Sequence, residues 1–145
     1  MKWHNRFMNL AKEVSTWSKD PSTQVGAIYI GDKKQILSTG FNGFPKKIID
    51  SEERLNNREL KYKYTIHAEL NGIYNAVYNG INLNNSTLYV YGLPVCSACA
   101  LAIIQVGVKT IVIQESNINK SQKWQESWHE SLELFKESDV EVLII

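Results

Sequence analysis

Four side chains in this 145-residue sequence combine into one piece of chemistry: His67, Glu69, Cys96 and Cys99. An imidazole nitrogen and two thiolate sulfurs form a borderline-soft donor set that suits zinc. Two thiolates balance a divalent charge. Three protein ligands leave the fourth tetrahedral place to water, as in catalytic rather than structural sites. The spare histidines, His4 and His129, stand apart from the cysteines. Glu69 as a ligand would close the site and leave it negative; beside the metal it can move a proton between water and substrate. Taken singly, each residue has a plainer reading. Cys96-x-x-Cys99 can be a redox pair, His67 a packing or capping residue, and Glu69 an acidic first-turn residue favoured by the helix macrodipole. Their coincidence points to one metal centre with a base beside it.

The elements that must position these groups are legible in the pattern of apolar residues. Phe7, Leu10, Ala11, Val14 and Trp17 predict an amphipathic helix over residues 4–17, broken at Lys19-Asp20-Pro21. Strands over 24–30 and 35–39 are expected to form a hairpin. The polar stretch 40–66 is long enough to be functional or to carry a short helix. Leu70, Ile73, Tyr74 and Val77 predict a helical stripe over 67–79. A strand over 87–91, a helix over 96–106 capped by Gly107, and a strand over 109–114 follow. A last helix over 124–137 is expected to pack Trp124, Trp128 and Phe135 onto the sheet, with stacking on a substrate as the alternative role, ahead of a closing strand over 140–145. Helix-strand alternation after a hairpin implies an α/β fold, a three-layer α-β-α sandwich around a mixed five-stranded sheet. His67 and Cys96 then stand at two helix starts, where partial positive charge favours thiolate.

Composition narrows the class. The length suits one domain over 1–145 with one core. A net charge of +1 supplies no strong field for a nucleic-acid backbone, so nucleic acid is not expected as a partner. Met1 to Arg6 lacks the apolar core of a secretion signal, and no apolar run approaches bilayer-spanning length. No membrane association is expected, and the location expected is cytoplasmic.

Four blocks resemble the cytidine and deoxycytidylate deaminase family, nearest its deoxycytidylate branch. They are Ser18 to Ala27, Gly40-Phe41-Asn42-Gly43-Phe44-Pro45, Lys63 to Asn71 around His67-Ala68-Glu69, and Leu88 to Gly107 around Cys96 and Cys99. The sequence departs from the family pattern in carrying Val95 before the first cysteine and Gly72 where the family usually has Ala. The resemblance implies a cytidine deaminase-like fold and hydrolytic deamination of dCMP to dUMP with loss of ammonia. It implies one zinc per subunit on His67, Cys96 and Cys99, with Glu69 as proton carrier. It further implies that Asn42 meets the sugar or base, that the Ala68 N–H grips a base oxygen, and that Lys19 meets the 5′-phosphate. Control by dCTP and dTTP with Mg²⁺ accompanying the nucleotide, and a homo-oligomer from dimer to hexamer, belong to the same set of expectations. Rival readings are a deaminase of another pyrimidine nucleotide or of transfer-RNA adenosine, and a zinc-stabilised binding module without activity.

Overall fold

A computed structural model describes residues 2–119 and 122–145. Helix α1 (Lys2–Ser15) precedes the hairpin β1 (Gly26–Ile30) and β2 (Ile36–Phe41). Two short helices, α2 (Glu52–Asn56) and α3 (Arg58–Tyr64), lead into α4 (Ala68–Tyr78). Then come β3 (Thr87–Tyr91), α5 (Ser97–Gln105), β4 (Thr110–Ile113), α6 (Glu115–Ile118), α7 (Gln122–Glu137) and β5 (Glu141–Ile144). The sheet order is β2-β1-β3-β4-β5. β1 runs antiparallel to both neighbours, and β3, β4 and β5 are parallel. The mixed five-stranded sheet is the one expected.

Strand β1 is buried along its whole length because both of its faces are covered. Ile28 and Ile30 meet Phe7, Met8, Ala11 and Val14 of α1. Ala27 and Tyr29 turn the other way, into a core shared with α4, α5 and α7 through Ile73, Ala76, Cys99, Ile103, Trp128 and Phe135. Two parallel crossovers, through α5 and α7, lie on that second face, and the three layers follow from it.

Several expected details differ. Helix α1 ends at Ser15, where the Ser15 and Thr16 hydroxyls turn back to the carbonyls of Lys12 and Glu13. Trp17 therefore falls beyond the helix, 52% exposed, and meets Phe41 edge-on at 6.1 Å. The 40–66 stretch carries two short helices, each capped by a side chain: Ser51 accepts from the Arg54 N–H and Asn57 from the Leu60 N–H. In α4 the buried face is Ala68, Glu69, Gly72, Ile73 and Ala76, whereas Tyr74 and Val77 of the expected stripe point outward. Small residues face inward because β2 comes close. A Cβ on Gly40 would sit 2.3 Å from the Ala68 carbonyl oxygen and the Gly72 nitrogen, so only glycine lets β2 meet this helix.

Candidate active site

Residue 67 reaches its place through a short backbone bridge. The Ile66 N–H donates to the Gly43 carbonyl at 2.8 Å, and the Gly43 N–H donates back at 3.1 Å. This lays the segment before α4 alongside the end of β2. Extended backbone at His67 (φ −65°, ψ 153°) then makes it the N-cap residue of α4. Its side chain does not cap the helix and is free to turn elsewhere.

The cysteines arrive by a parallel route. β3 ends at Tyr91, and Leu93-Pro94-Val95 leads to Cys96, the N-cap of α5, whose sulfur accepts from the Cys99 N–H. Helix α7 fixes this turn from behind. The Ser131 hydroxyl donates to the Val95 carbonyl at 2.8 Å, and the Ser127 oxygen accepts from the Ser97 N–H at 2.8 Å. Val95 itself is fully buried, so packing and the Ser131 bond hold the turn without a second proline.

Both helix starts meet at the carboxyl ends of β2 and β3, where open α/β sheets commonly bind ligands. His67 Nδ1 lies 3.4 Å from Cys96 Sγ and 3.3 Å from Cys99 Sγ, and the three donor atoms all fall within 4.8 Å of one another. A tetrahedral zinc with ordinary Zn–N and Zn–S lengths needs donor separations of about 3.5–3.8 Å. The three residues fit that ion. Among the described residues no further His, Cys, Asp or Glu joins the group. His4 is occupied elsewhere, its Nδ1 2.7 Å from the Tyr89 hydroxyl, and His129 is exposed.

The thiols and the carboxyl at the site interact strongly with one another. The neighbouring Cys99 thiol, and His67 beside it, hold the Cys96 thiol well below its usual range. The same contact between the sulfurs, together with burial, pushes Cys99 up, so one proton is retained between them. A cation displaces that proton when it binds. Glu69 is 4% exposed, and burial pushes its carboxyl up to about 7, against the opposing pull of His67. A carboxyl poised there can both accept and donate a proton near neutral pH.

The cavity in front of these groups is lined by His67, Ala68, Glu69 and Cys96 at its floor. Asn42, also expected at the site, lines it as well. Its amide accepts from the Val25 N–H and donates to the Thr23 carbonyl, both at 2.9 Å. One N–H and one lone pair of that amide remain for a ligand. The Ala68 N–H is among the donors that a helix leaves without an internal acceptor at its first turn.

Lys19, expected at the 5′-phosphate, stands apart from the cavity lining: its side chain is 70% exposed and pairs with Asp50 at 3.1 Å. Arg58, Lys61 and Tyr62 of α3 stand at the cavity instead. Lys61 is buried; its ammonium donates to Asp20 Oδ1 and Ser22 Oγ, each at 3.1 Å, and ties the 20–23 turn to α3. The same Asp20 oxygen also accepts from the N–H groups of Ser22 and Thr23. Trp124 departs from the expected core packing and fits the alternative of a place at the substrate cavity. Trp128 and Phe135 are core residues as expected, but Trp124, a turn earlier on α7, lines the cavity mouth. Beside it Lys123 donates to the Tyr62 hydroxyl at 2.8 Å and bridges α7 to α3. The signal for α3 was present as Arg58, Lys61 and Tyr62 at helical spacing in a polar stretch, and for α7 as Ser127 and Ser131 on an otherwise apolar face.

This arrangement has known counterparts. Residues 1–115 match the family model for the cytidine and deoxycytidylate deaminase zinc-binding region. The chain belongs to that family. An uncharacterised deaminase from the luxG 3′ region of Aliivibrio fischeri is 39% identical over 97% of this chain and 92% of its own length. Mouse deoxycytidylate deaminase is 34% identical over 85% of this chain and 70% of its own. Among solved structures, the cyanophage S-TIM5 dCMP deaminase in complex with dCMP and dUMP superposes with a TM-score of 0.77, at 23% identity over 97% of this chain and 95% of that one. The deaminase fold expected from the sequence is therefore the fold observed, and the chain is a member of a zinc-dependent hydrolase family. Helix α7, which supplies Trp124 and the serines behind the cysteine turn, lies beyond the span that the family model matches.

Proposed function

We propose that this deaminase hydrolyses dCMP to dUMP and ammonia. The observation that carries the reading is the convergence of His67, Cys96 and Cys99, with His67, Cys96 and the buried Glu69 lining a cavity that Arg58 and Lys61 also line. We assign the three donors as zinc ligands and Glu69 as the proton carrier. Zinc, when bound, supplies the charge that acidifies water at the place its protein ligands leave open. Glu69 accepts a proton from the attacking water and passes it to N3 of cytosine. The water oxygen bonds to C4, and Glu69 moves the second proton to the exocyclic amine. The C4–N4 bond then breaks, ammonia departs and the C4 carbonyl remains. The Ala68 N–H and the remaining Asn42 amide hydrogen are placed to orient base and sugar. Arg58 is the cation at the cavity suited to a 5′-phosphate, since the Lys61 ammonium is paired with Asp20 and Lys19 lies outside the cavity lining.

A panel of dCMP, deoxycytidine, cytidine, CMP and a transfer-RNA anticodon stem-loop, read by ammonia release, tests the substrate. Highest kcat/KM on dCMP is expected; preference for the stem-loop or for an unphosphorylated nucleoside would overturn the assignment. Cobalt substitution separates an enzyme from a binding module, since a spectrum unmoved by a substrate analogue would speak for a closed structural site.

Further readings are narrower. One deaminase domain over 1–145 is supported by a single sheet that takes strands from both ends of the chain. A homo-oligomer is supported by the outer face of α4, where Tyr74, Val77 and Tyr78 are 53%, 72% and 81% exposed. Control by dCTP and dTTP, with Mg²⁺ on the nucleotide, is supported by the resemblance of the Gly40–Pro45 loop. A cytoplasmic location is supported by two free cysteines that need a reducing compartment. Among the described residues no helix is long and apolar enough to cross a membrane.

A further inference from the structure

Tyr29 stands in the middle of β1, fully buried, and a phenol buried there requires a hydrogen-bond partner. Its hydroxyl donates to the backbone carbonyl of Glu69 at 2.7 Å, across the sheet–helix interface. That carbonyl lies in the first turn of α4, between the His67 donor and the rest of the helix. The ring reaches it only because residue 72 is glycine: a Cβ there would stand 2.4 Å from Tyr29 Cε2. Tyr29 thus supplies the physical reason for a glycine inside α4. Glycine inside a helix loosens it. Here other bonds gather at the same place: the Ser38 hydroxyl donates to the Gly72 carbonyl at 2.6 Å, and the Asn71 amide donates to the Phe41 carbonyl at 2.8 Å. Of these, the Tyr29 bond alone ends on the residue whose carboxyl faces the cavity.

We propose that Tyr29 is a positioning residue for the reaction: admitted by Gly72, its phenol ties the first turn of α4 to β1 and fixes where the Glu69 carboxyl stands. The inference rests on the reading of Glu69 as proton carrier. A carboxyl that swings with a loosened turn spends less time aligned with water and base, and misplacement of that kind lowers turnover more than binding. Tyr29 thus acts through the backbone, without touching substrate.

The test uses the zinc-loaded enzyme. Tyr29→Phe keeps the ring and removes the one bond. It should retain full zinc, lower kcat by about tenfold with KM within about twofold, and speed amide exchange at Asn71 to Ile73. A purely structural role would lower the melting temperature and leave kcat per zinc unchanged, and that result overturns the proposal. Unchanged exchange across the first turn of α4 overturns it as well. Gly72→Ala guards against a variant that fails to fold. Alone it drives a methyl into the ring and should destabilise the protein; combined with Tyr29→Leu it should melt higher than Gly72→Ala alone. Additive effects at the two positions would show that they are not a pair. Glu69→Gln, run in parallel, separates the two failures: turnover retained there removes the proton-carrier reading, whatever Tyr29→Phe does.

Discussion

Glu69 meets two demands through one placement. Burial beside a cation site raises the carboxyl to about 7, and the cavity still reaches it. Glu69→Gln keeps the shape of the side chain and removes the titrating proton. Full zinc content with kcat lowered by at least about a hundredfold is expected, measured by metal analysis beside ammonia release. Cys99→Ser acts on the other half of the site. A hydroxyl is a harder donor that stays protonated near neutrality, so stoichiometric zinc should be lost, and a variant purified with full metal would refute the ligand assignment. The residue types and their i, i+2 and i, i+3 spacing were legible in the sequence because metal chemistry leaves few alternatives for His, Glu and paired Cys. The surroundings of Lys19 were not legible for the opposite reason: a surface lysine is defined by its neighbours, here Asp50, and those are set by the fold.

Elements bring these residues together through bonds that pattern reading does not see. The Ser131 hydroxyl on α7 holds the Val95 carbonyl, and so the entry to the cysteine turn. Ser131→Ala leaves that carbonyl buried with one partner fewer and should cost about 1 kcal/mol in denaturant unfolding. Zinc affinity should fall about tenfold in a chelator competition, as for other losses behind a metal ligand. Unchanged affinity would mean that packing of Val95 alone sets the turn. At the opposite wall, Lys61 and Asp20 form a buried pair with side chains 9% and 10% exposed. Lys61→Met removes one charge and leaves Asp20 to its two backbone N–H donors, which should cost about 2–3 kcal/mol and raise KM for dCMP. Equal KM in the two proteins would take the 20–23 turn out of substrate binding. Helix type and order were readable from periodicity, yet the inward face of α4 was not. Gly40 and Gly72 let backbone and a tyrosine ring fill the space that larger side chains would otherwise occupy, so the larger Tyr74 and Val77 turned outward.

At the scale of the molecule, that outward face becomes a property of its own. Tyr74, Val77 and Tyr78 form a stripe at helical spacing, with Lys46 over the Tyr78 ring at 4.3 Å. Replacing Tyr74 and Val77 together by Glu should lower the mass seen by light scattering without unfolding the protein, because neither side chain supports the core. An unchanged mass would place the subunit contact elsewhere or leave the chain a monomer. The near-neutral charge of +1 sets the other large-scale expectation, weak and unspecific binding to long nucleic acids even at low salt.

Sequence alone singled out the candidate metal donors, the proposed base beside them and the alternation of helix and strand, since each follows from local chemistry or from the repeat of apolar residues along the chain. It could not determine which residues enclose the cavity. Arg58 and Lys61 stand on a separate helix just before His67, and Trp124 comes from α7, far beyond Cys96, so only the packing of α3 and α7 about the site makes all three its neighbours. The bond from Tyr29 to the Glu69 carbonyl spans 40 residues, and its existence depends on a missing side chain at Gly72. Contacts of that kind are decided by packing in three dimensions, where a small residue on one element makes room for a large one on another.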